Sequence, residues 1–490
     1  MQSVLSQGSR PLPITLEAFD EVAGKVPSAL ARVKSAMLNL EPASLIELAE
    51  KFFDYPLTDG EGKPRKQPQS EILVVVIEYF KRWMDGEHFG ARTLNGTPHL
   101  YSGTHWTAME DQACSSLLGE LASRLGCSAI ESRFFLFREK LMKQFYSEFA
   151  GLDEEKVNKQ VLINFSNGTL EIGNGNETQR AFSKADLLTY QLPFEYDESS
   201  TCQLFDRYLT RVLPDEASQM VLAEFLGWIF LKDLKLEKVL LLYGDGHNGK
   251  SVIFDIVNQL LGENNITNLG LSALSKTENR CGLGNSLLNF GSEIKGNCDA
   301  DLFKKLASGE PIEARRLYSD VFIMRNYAKL AFNANLLPKD TEQSTGFFRR
   351  FLIIPFTQTI TQEEKDPDLA SKIIGSELPG VFNWVMKGLR RLREARKFTV
   401  CDAANRALES YRKESDSVAM FLDEEGFEKS QDRISKDELY GCYRNYCQSA
   451  GFHSLAKVNF GKRLMSAHHV TESRSKECRS WNMSRKQFDG

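Results

Sequence analysis

The chain has 490 residues, of which 42% are hydrophobic and 26% charged, and its formal net charge is −5. This length predicts three or four domains of about 150 residues each, and the composition is that of an ordinary globular protein. The mildly acidic balance excludes a surface that is basic throughout, so any site for DNA has to be local.

No stretch is apolar for long enough to span a bilayer, and the first residues lack the basic and apolar pattern of a signal peptide. The nine cysteines show no C-x-x-C spacing, which argues against a zinc site or a disulfide framework. We therefore expect a cytoplasmic protein with reduced thiols and no membrane partner.

The beginning of the chain carries helical periodicity, which recurs at residues 30–40, 43–53 and 72–83. It predicts a helical N-terminal region over residues 1–88. No pair of acidic residues lies on a strand pattern there, as a primer-synthesising domain would require.

Residues 89–200 predict an α+β domain. Polar and aromatic residues alternate over residues 94–109, which indicates a β-hairpin. A helical stretch at residues 130–150 precedes strand-like segments at residues 161–172 and 187–197. Beyond this domain, a helical collar is predicted from residue 201 to residue 235.

A strand, a glycine-rich loop and a helix follow one another after the collar, as VLLLY, GDGHNGKS and an amphipathic pattern. In this setting the G-x-x-x-x-G-K-[ST] spacing predicts a phosphate-binding loop, because loop N–H groups and a helix N-terminus can both face an anion. A glycine-rich turn that happens to carry a lysine is the alternative. The candidate nucleotide-binding residues are Gly244, Asp245, Gly246, His247, Asn248, Gly249, Lys250 and Ser251.

Two polar residues at strand ends are candidates for the chemistry of a nucleoside triphosphatase. Glu293 follows an apolar strand pattern, where it could hold Mg²⁺ through water and polarise an attacking water. An exposed glutamate at a strand end is the alternative. Asn335 follows AKLAF closely, where its amide could orient that water.

These motifs keep a fixed order along the chain: GDGHNGKS, SEI, LFKKLASGEPIEARRLY, FNANLLP and GFFRRFLIIPF. They resemble the superfamily 3 helicases of the phage and plasmid primase-helicase type, which are AAA+ ATPases. The resemblance implies a hexameric ring that uses ATP and Mg²⁺, moves 3′ to 5′ on single-stranded DNA and unwinds forked duplex. A separate primase or host replication proteins are the further partners that it implies.

The resemblance assigns roles at matching positions of this sequence. Lys250 and Ser251 take the phosphate and Mg²⁺, Glu293 takes the acidic position of the second motif, and Asn335 takes the sensor position. Many family members have two adjacent acids in the second motif, whereas the first of them is Ser292 here. Glu293 is therefore left with both the metal and the base duties.

Arg350 matches the arginine finger of the family, and Arg349 is the second candidate. Such an arginine reaches across a subunit interface to the γ-phosphate of a neighbour. The family's DNA-contacting hairpin falls between SGEPI and FNANLLP, with an ordinary surface hairpin as the alternative. The candidate DNA contacts in this region are Lys304, Lys305, Arg315, Arg316 and Tyr318.

The predicted fold is a multidomain α/β protein with an AAA+ core and parallel sheet at residues 236–358. A helical lid or linker follows at residues 359–415. Residues 416–490 predict three helices and then two strands, the pattern of a winged helix that binds either DNA or a protein.

Two other functions stay open on the sequence. The chain could be a DNA-binding replication initiator or regulator that uses ATP as a switch without processive unwinding, or the helicase part of a primase-helicase system. The candidate finger and hairpin favour a motor, because a pure switch needs neither of them.

Overall fold

A computed structural model gives the structure of most of the chain. The described residues are 29–40, 43–63, 65–86, 89–94, 96–149, 160–173, 176–292, 294, 299–316, 321–337, 344–474 and 479–485. They form two compact units. The first comprises the described residues up to Asn164 together with Gly168–Gln191, and the second comprises Phe165–Asn167 and the described residues from Leu192 onward.

The first unit has a helical core. Its helices are α1 (Ala29–Leu38), α2 (Leu45–Phe53), α3 (Gln69–Gly86), α4 (Asp111–Arg124) and α5 (Phe135–Phe149). They bury one continuous apolar cluster that includes Phe80, Leu117 and Phe145. The helical periodicity predicted before residue 88 is confirmed, and these helices share a core with the segment that follows them.

The strands between Gly90 and Arg180 form small antiparallel sheets. They are β1 (Gly90–Leu94), β2 (Thr97–Tyr101), β3 (Trp106–Ala108), β4 (Val161–Phe165), β5 (Gly168–Ile172) and β6 (Glu177–Arg180). The hairpin predicted at residues 94–109 is confirmed by the pairing of β1, β2 and β3. The sequence does not predict β6, because its short ETQR segment has no apolar side chain to create an alternation.

The strand predicted at residues 187–197 is wrong. Leu188 and Tyr190 are buried, which produces the alternating pattern, yet the segment belongs to no strand. Its carbonyl groups bond elsewhere: the Trp106 N–H donates to Leu188 at 2.8 Å, and Nδ2 of Asn164 donates to Tyr190 at 3.1 Å. The alternation of buried and exposed side chains therefore arises because an irregular segment packs on the core, and not because the segment pairs in a sheet.

The second unit contains the longer series of elements. Its helices are α6 (Gln203–Val212), α7 (Glu216–Trp228), α8 (Lys250–Leu261), α9 (Thr277–Arg280), α10 (Ala300–Ser308), α11 (Thr345–Phe348), α12 (Leu369–Ser376), α13 (Leu378–Ala395), α14 (Asp402–Glu414), α15 (Ser417–Glu424), α16 (Lys436–Ala450) and α17 (Lys457–His468). Its strands are β7 (Val239–Tyr243), β8 (Ile266–Thr267), β9 (Leu288–Gly291), β10 (Ile312–Arg315), β11 (Val321–Met324), β12 (Lys329–Ala334), β13 (Phe351–Pro355), β14 (Phe427–Ser435), β15 (Glu472–Arg474) and β16 (Arg479–Arg485). Among the helices described in either unit, none combines the length and apolarity needed to cross a bilayer.

Within the described residues, five strands form a parallel sheet in the order β13-β7-β12-β9-β8. The first four side chains of β7 are buried, as expected for a parallel sheet whose two faces are both covered. Ala334 at the end of β12 pairs with Tyr243 at the end of β7, so the carboxyl ends of both strands meet at one edge. The predicted α/β fold with a parallel sheet is confirmed.

Helices α7 and α13 approach closely because glycines face the contact. A Cβ atom on Gly388 would lie 2.3 Å from the backbone carbon of Ala223, and one on Gly227 would lie 2.7 Å from the backbone of Leu389. Beside this contact, the buried carboxylate of Glu224 accepts hydrogen bonds from Arg391 and Thr399. The predicted collar is thus packed tightly against the helices that follow the sheet.

The last elements of the chain surround a separate apolar cluster. Phe421, Tyr443, Phe460 and Trp481 lie at its centre, under an antiparallel sheet of order β14-β16-β15. The three helices and the final strand pair predicted for this region are present as α15, α16, α17, β15 and β16. The sequence does not predict β14, because FEKSQDRIS is mostly polar and lies largely at the surface.

Candidate functional site

The loop between β7 and α8, residues 244–251, is called the glycine loop below. At its start, a Cβ atom on Gly244 would lie 2.3 Å from the carbonyl oxygen of Phe356, so a larger residue does not fit. Asn248 is buried inside the loop, and its Nδ2 donates to the same Phe356 carbonyl at 3.3 Å. The backbone of Phe356, the residue after β13, therefore packs against one side of the loop.

Lys250 folds its side chain back into the glycine loop. Its Nζ donates to the carbonyl oxygens of Gly244 at 2.5 Å and Asp245 at 3.1 Å, and to Oδ1 of Asn248 at 3.0 Å. Burial lowers the pKa of this ammonium, while the charge of Asp245 acts in the opposite direction. Among the described residues, the ammonium of Lys250 is thus hydrogen-bonded to neutral oxygens only, and an anion bound in the loop would be a stronger partner for it.

Helix α8 begins at Lys250 without a side-chain cap. Its N-cap residue, Gly249, has φ +86° in the left-handed region, and a Cβ atom there would lie 2.7 Å from Cγ1 of Val212. The hydroxyl of Tyr208 on α6 donates to the Gly249 carbonyl at 2.6 Å. The collar therefore fixes the peptide at the helix start and leaves its first turn uncapped toward an anion.

The other loop residues lie on its open side. Asp245, Gly246, His247 and Ser251 are exposed. His247 has φ +60°, and its carbonyl accepts a hydrogen bond from the N–H of Ile360 at 2.8 Å. All eight residues predicted for nucleotide binding thus lie in this one loop and the start of α8.

Asn335 lies at the same sheet edge as the glycine loop. It follows β12 directly and is exposed, and the N–H of Gly244 donates to the carbonyl of the preceding residue, Ala334, at 3.1 Å. Further back on β12, Oδ1 of Asn333 is buried without a hydrogen-bond partner among the described residues. Asn335 therefore directly follows the residue whose carbonyl the loop contacts at this edge.

The acidic candidate, Glu293, lies outside the described residues. The strand that precedes it, β9, ends at Gly291, which pairs with Phe332 of β12 in a parallel arrangement. The pattern predicted for residues 286–294 is therefore present as a shorter strand that runs toward the edge holding the glycine loop.

The two candidate finger residues lie at the opposite edge, where β13 begins. The guanidinium of Arg350 is held by Oγ of Ser308 at 2.9 Å and by the carbonyl of Gly346. Arg349 turns outward, and its Nη2 donates to Oε2 of Glu237 at 3.0 Å. The side chain of Arg349 is 61% exposed and that of Arg350 is 9% exposed, so Arg349 is the arginine that reaches solvent.

The hairpin predicted to contact DNA is present as β10 and β11. After β10, the guanidinium carbon of Arg316 lies 5.0 Å from the centre of the Phe322 ring. Val321 and Ile323 on β11 are 54% and 55% exposed, so one face of the hairpin presents apolar side chains. The tip with Tyr318 lies outside the described residues.

The other candidate DNA contacts lie on α10 and at the end of β10. Lys304 pairs with Asp301 at 2.9 Å, whereas Lys305 is exposed. Arg315 is also exposed, and its carbonyl accepts a hydrogen bond from Sγ of Cys281 at 2.7 Å. These basic residues precede or enter the hairpin, and none of them contributes to the glycine loop.

Sequence reasoning missed the contact between Tyr208 and the glycine loop. The periodicity of α6 identifies this tyrosine as a packing residue, and its ring is indeed buried. A buried tyrosine hydroxyl normally needs a hydrogen-bond partner, which is the signal that could have directed attention to it. Its partner, Gly249, cannot be inferred from spacing because it belongs to a distant part of the chain.

Three family models match separate parts of the chain. A model described as "D5 N terminal like" matches residues 78–214, and one described as "Poxvirus D5 protein-like" matches residues 413–489. Between them, a model of a family of unknown function, DUF5906, matches residues 242–350, which include the glycine loop and the hairpin.

One curated relative is the protein 121R of Invertebrate iridescent virus 3, which is provisionally named a helicase. It is 23% identical over an alignment of 379 residues, and the match covers 67% of this chain and 39% of the relative. The chain therefore spans well under half the length of that relative.

Two apo structures of the C-terminal region of NrS-1 are similar to the chain. One has a TM-score of 0.45 and 10% identity, and covers 83% of this chain and 99% of the NrS-1 chain. The other, in the A form, has a TM-score of 0.47 and 11% identity, and covers 84% of this chain and 98% of the NrS-1 chain.

The D5 matches agree with the ordered motifs of the sequence. They lie on either side of the glycine loop, at residues 78–214 and 413–489, so two separate parts of the chain carry the same relationship. Together with the ordered motifs, these two matches support a D5-like family of superfamily 3 primase-helicases for this chain.

Proposed function

We propose that this protein is an ATP-dependent DNA helicase that acts in the replication of a virus, phage, plasmid or integrated element. The observation that carries the proposal is the glycine loop itself. Lys250 lies folded into a loop at the carboxyl edge of a parallel sheet, with Asn335 at the end of the neighbouring strand. Ligands of open α/β sheets bind at this edge.

The residues of the glycine loop fit the phosphates of ATP with Mg²⁺. The ammonium of Lys250 would exchange its neutral oxygens for phosphate oxygens, and the uncapped start of α8 would face the same charge. The exposed hydroxyl of Ser251 and the carboxylate of Glu293 would hold the metal. When bound, ATP supplies the phosphoanhydride whose hydrolysis drives movement.

The position of the arginines supports an active site shared between subunits. They precede β13, whereas the glycine loop follows β7, and these paired parallel strands have five residues each. A strand of that length separates its two ends by about 17 Å. An arginine at the amino edge is therefore poorly placed for its own loop, and a ring of subunits, a hexamer by resemblance, would bring it to a neighbour's loop.

The hairpin and the C-terminal elements are the proposed DNA contacts. We infer an AAA+ core at residues 236–358 and a winged helix at residues 416–490, with a helical collar at residues 201–235 and a lid or linker at residues 359–415. The order α15-β14-α16-α17-β15-β16 supports the winged helix. The provisional helicase name of the iridescent virus relative agrees with action on single-stranded and forked DNA.

The proposal is tested by measuring ATP hydrolysis and strand separation on the same protein. We expect hydrolysis that single-stranded DNA stimulates, and release of one strand from a forked duplex in the presence of ATP and Mg²⁺. Hydrolysis without any strand release would favour the switch-like initiator instead. Absence of hydrolysis with every DNA tested would contradict the ATPase assignment.

The hairpin yields a prediction about DNA rather than ATP. Arg316→Ala should weaken single-strand binding and reduce unwinding several-fold, with basal hydrolysis little changed, because the hairpin lies outside the glycine loop. Loss of one phosphate contact should lower the slope of log affinity against log salt by about 0.7. Fluorescence anisotropy over a salt series measures both effects.

Arg325→Ala is the matched control for the hairpin. Arg325 follows β11 at the end of the hairpin away from the tip, and it is exposed. The control should retain wild-type affinity and salt slope. Equal losses in both variants would mean that the whole surface, rather than the tip side of the hairpin, attracts DNA.

The contact between the collar and the loop gives a second prediction. Tyr208→Phe removes the hydroxyl that holds the Gly249 carbonyl but keeps the ring in the core. Since one buried hydrogen bond contributes about 0.5–1.5 kcal/mol, the KM for ATP should rise roughly twofold to tenfold. Steady-state hydrolysis over a range of ATP concentrations measures this change.

Tyr190→Phe is a suitable control for Tyr208. It also removes a buried tyrosine hydroxyl that donates to a backbone carbonyl, that of Leu162 at 2.9 Å, but this pair lies in the first unit. Its KM for ATP should stay at the wild-type value. If both variants raised KM equally, general loss of stability would explain the effect better than a role of Tyr208 at the loop.

A further inference from the structure

A cationic cleft lies at the amino edge of the parallel sheet, on the side away from the glycine loop. Its cavity volume is about 30 Å³, and its lining includes Trp228, Lys235, Glu237, Lys238, Ser308 and Lys329. Lys238 immediately precedes β7, and Lys329 is the first residue of β12. The pairing of these strands brings the two lysines to the same end of the sheet.

Lys329 carries a charge that the cleft does not neutralise. Its Nζ lies 4.2 Å from the centre of the Trp228 ring, and no described residue accepts a hydrogen bond from it. Trp228 is fixed, because its Nε1 donates to the Leu234 carbonyl at 2.7 Å. Burial lowers the pKa of Lys329 from its ordinary value of 10.5 to about 8. A cation–π contact alone is a weak substitute for the water that this ammonium has lost.

Glu237, the carboxylate in the lining, forms ion pairs with residues other than Lys238 and Lys329. Its Oε2 accepts from Nη2 of Arg349 at 3.0 Å and lies 3.7 Å from Nη2 of Arg350, and its Oε1 lies 3.7 Å from Nζ of Lys235. Lys238 instead donates to the backbone carbonyl of Arg349 at 2.5 Å. Two positive charges, those of Lys238 and Lys329, therefore face the cleft without a carboxylate of their own.

We propose that this cleft binds an oxyanion of the phosphate class, with Lys238 and Lys329 as its charged donors. Two unmatched ammonium groups suit an anion with two negative charges. The phosphate could come from the backbone of a nucleic acid or from a small phosphate in solution. This site is distinct from the glycine loop, so it stands whether or not the proposed ATPase activity is found.

Protection from acetylation tests occupancy at the lysines themselves. Lys329 should react readily with an amine-specific acetylating reagent at pH 8, because its lowered pKa leaves much of it unprotonated. We expect sulfate to slow acetylation of Lys329 and Lys238 relative to chloride of equal ionic strength, as read by peptide mass spectrometry. Lys397, an exposed lysine outside the lining, should react equally in both salts. Equal reactivity of Lys329 and Lys238 in chloride and in every oxyanion tested, namely sulfate, inorganic phosphate and an oligothymidylate, would overturn the proposal.

Two further protection arms identify the source of the phosphate. Inorganic phosphate should protect both lysines if the cleft takes a small anion. Protection by an oligothymidylate but not by millimolar inorganic phosphate would assign the site to a nucleic-acid backbone. Either result supports an oxyanion site, and failure of sulfate, phosphate and oligothymidylate alike would remove it.

Sulfate affinity should also depend on pH through Lys329. Sulfate keeps its charge between pH 7 and pH 9, and calorimetry should give roughly tenfold weaker binding at pH 9, where a lysine of pKa about 8 is mostly neutral. Lys235, Glu237, Lys238 and Tyr327 face the same cleft. Burial lowers the pKa of Lys238, which adds to the loss, and raises that of Tyr327, which stays neutral.

Sulfate binding by two lysine variants distinguishes this cleft from other places where an anion could bind, such as the glycine loop. Lys329→Met keeps the apolar stem against Trp228 and should weaken sulfate binding about tenfold or more at pH 7, with most of the pH dependence lost. Lys397→Met should bind as the wild type does. Unchanged affinity and pH dependence in Lys329→Met would contradict the proposal, whatever ATP hydrolysis that variant retains.

Discussion

Lys250→Ala is expected to lower ATP hydrolysis by about two to three orders of magnitude, the usual cost of removing one preorganised charge or donor from a reacting centre. The ammonium lies inside the glycine loop and contacts neutral oxygens of Gly244, Asp245 and Asn248. It is therefore already positioned where the phosphates of ATP would enter. Alanine removes the charge and leaves those oxygens to water.

Hydrolysis by Lys250→Ala should be measured per folded protein, with thermal melting as the check on folding. A fluorescent ATP analogue measures whether nucleotide still binds. Lys397→Ala is the matched control, since it removes an exposed lysine far along the chain from the loop. Wild-type hydrolysis in Lys250→Ala would refute the role of the glycine loop in phosphate transfer.

The sequence predicts the local elements of this site well, because each has a signal within a few residues. The apolar run of β7, the glycines after it and the amphipathic α8 all appear where their patterns place them. The same holds for β12 before Asn335 and for the strand that begins after Arg350. The residue pattern within each segment is enough to predict that the element is present.

Contacts between distant segments have no such local signal. Tyr208 reaches Gly249, and Asn248 reaches the Phe356 carbonyl, only because the collar and β13 fold against the loop. The unmatched charge of Lys329 likewise depends on Trp228 and on the absence of an acceptor among the described residues around it. A lysine that starts a strand gives no hint in sequence that its ammonium is enclosed.

Exposure also changes the interpretation of the arginine pair. The resemblance assigns the finger to Arg350, but its guanidinium is buried against Ser308 and Gly346, whereas Arg349 faces solvent. Sequence alone cannot separate two adjacent arginines, because their orientation depends on how α11 turns into β13. We propose that Arg349 is the residue that reaches a neighbouring subunit and that Arg350 positions it.

The second large effect is therefore expected at Arg349. Arg349→Ala should bind ATP normally and hydrolyse it about 10³-fold more slowly or worse, as for other arginine fingers. Its melting temperature should stay close to the wild-type value, because the side chain is exposed and its ion pair with Glu237 is a surface pair. Arg350→Ala should in contrast lower the melting temperature, since it leaves Ser308 and Gly346 without their buried partner.

Mixing variants then tests whether Arg349 acts on a neighbour. The glycine loop and Arg349 lie at opposite edges of the sheet, so a mixed ring of Lys250→Ala and Arg349→Ala subunits contains junctions where an intact loop meets an intact arginine. Hydrolysis should recover in part as the mixing ratio approaches equality, under conditions in which subunits exchange. Wild-type hydrolysis by Arg349→Ala, together with its loss in a stably folded Arg350→Ala, would return the finger to Arg350. No recovery in rings shown to contain both variants would instead mean that neither arginine serves a neighbouring subunit. Such rings contain junctions where an intact loop meets an intact arginine, and these junctions would then be inactive.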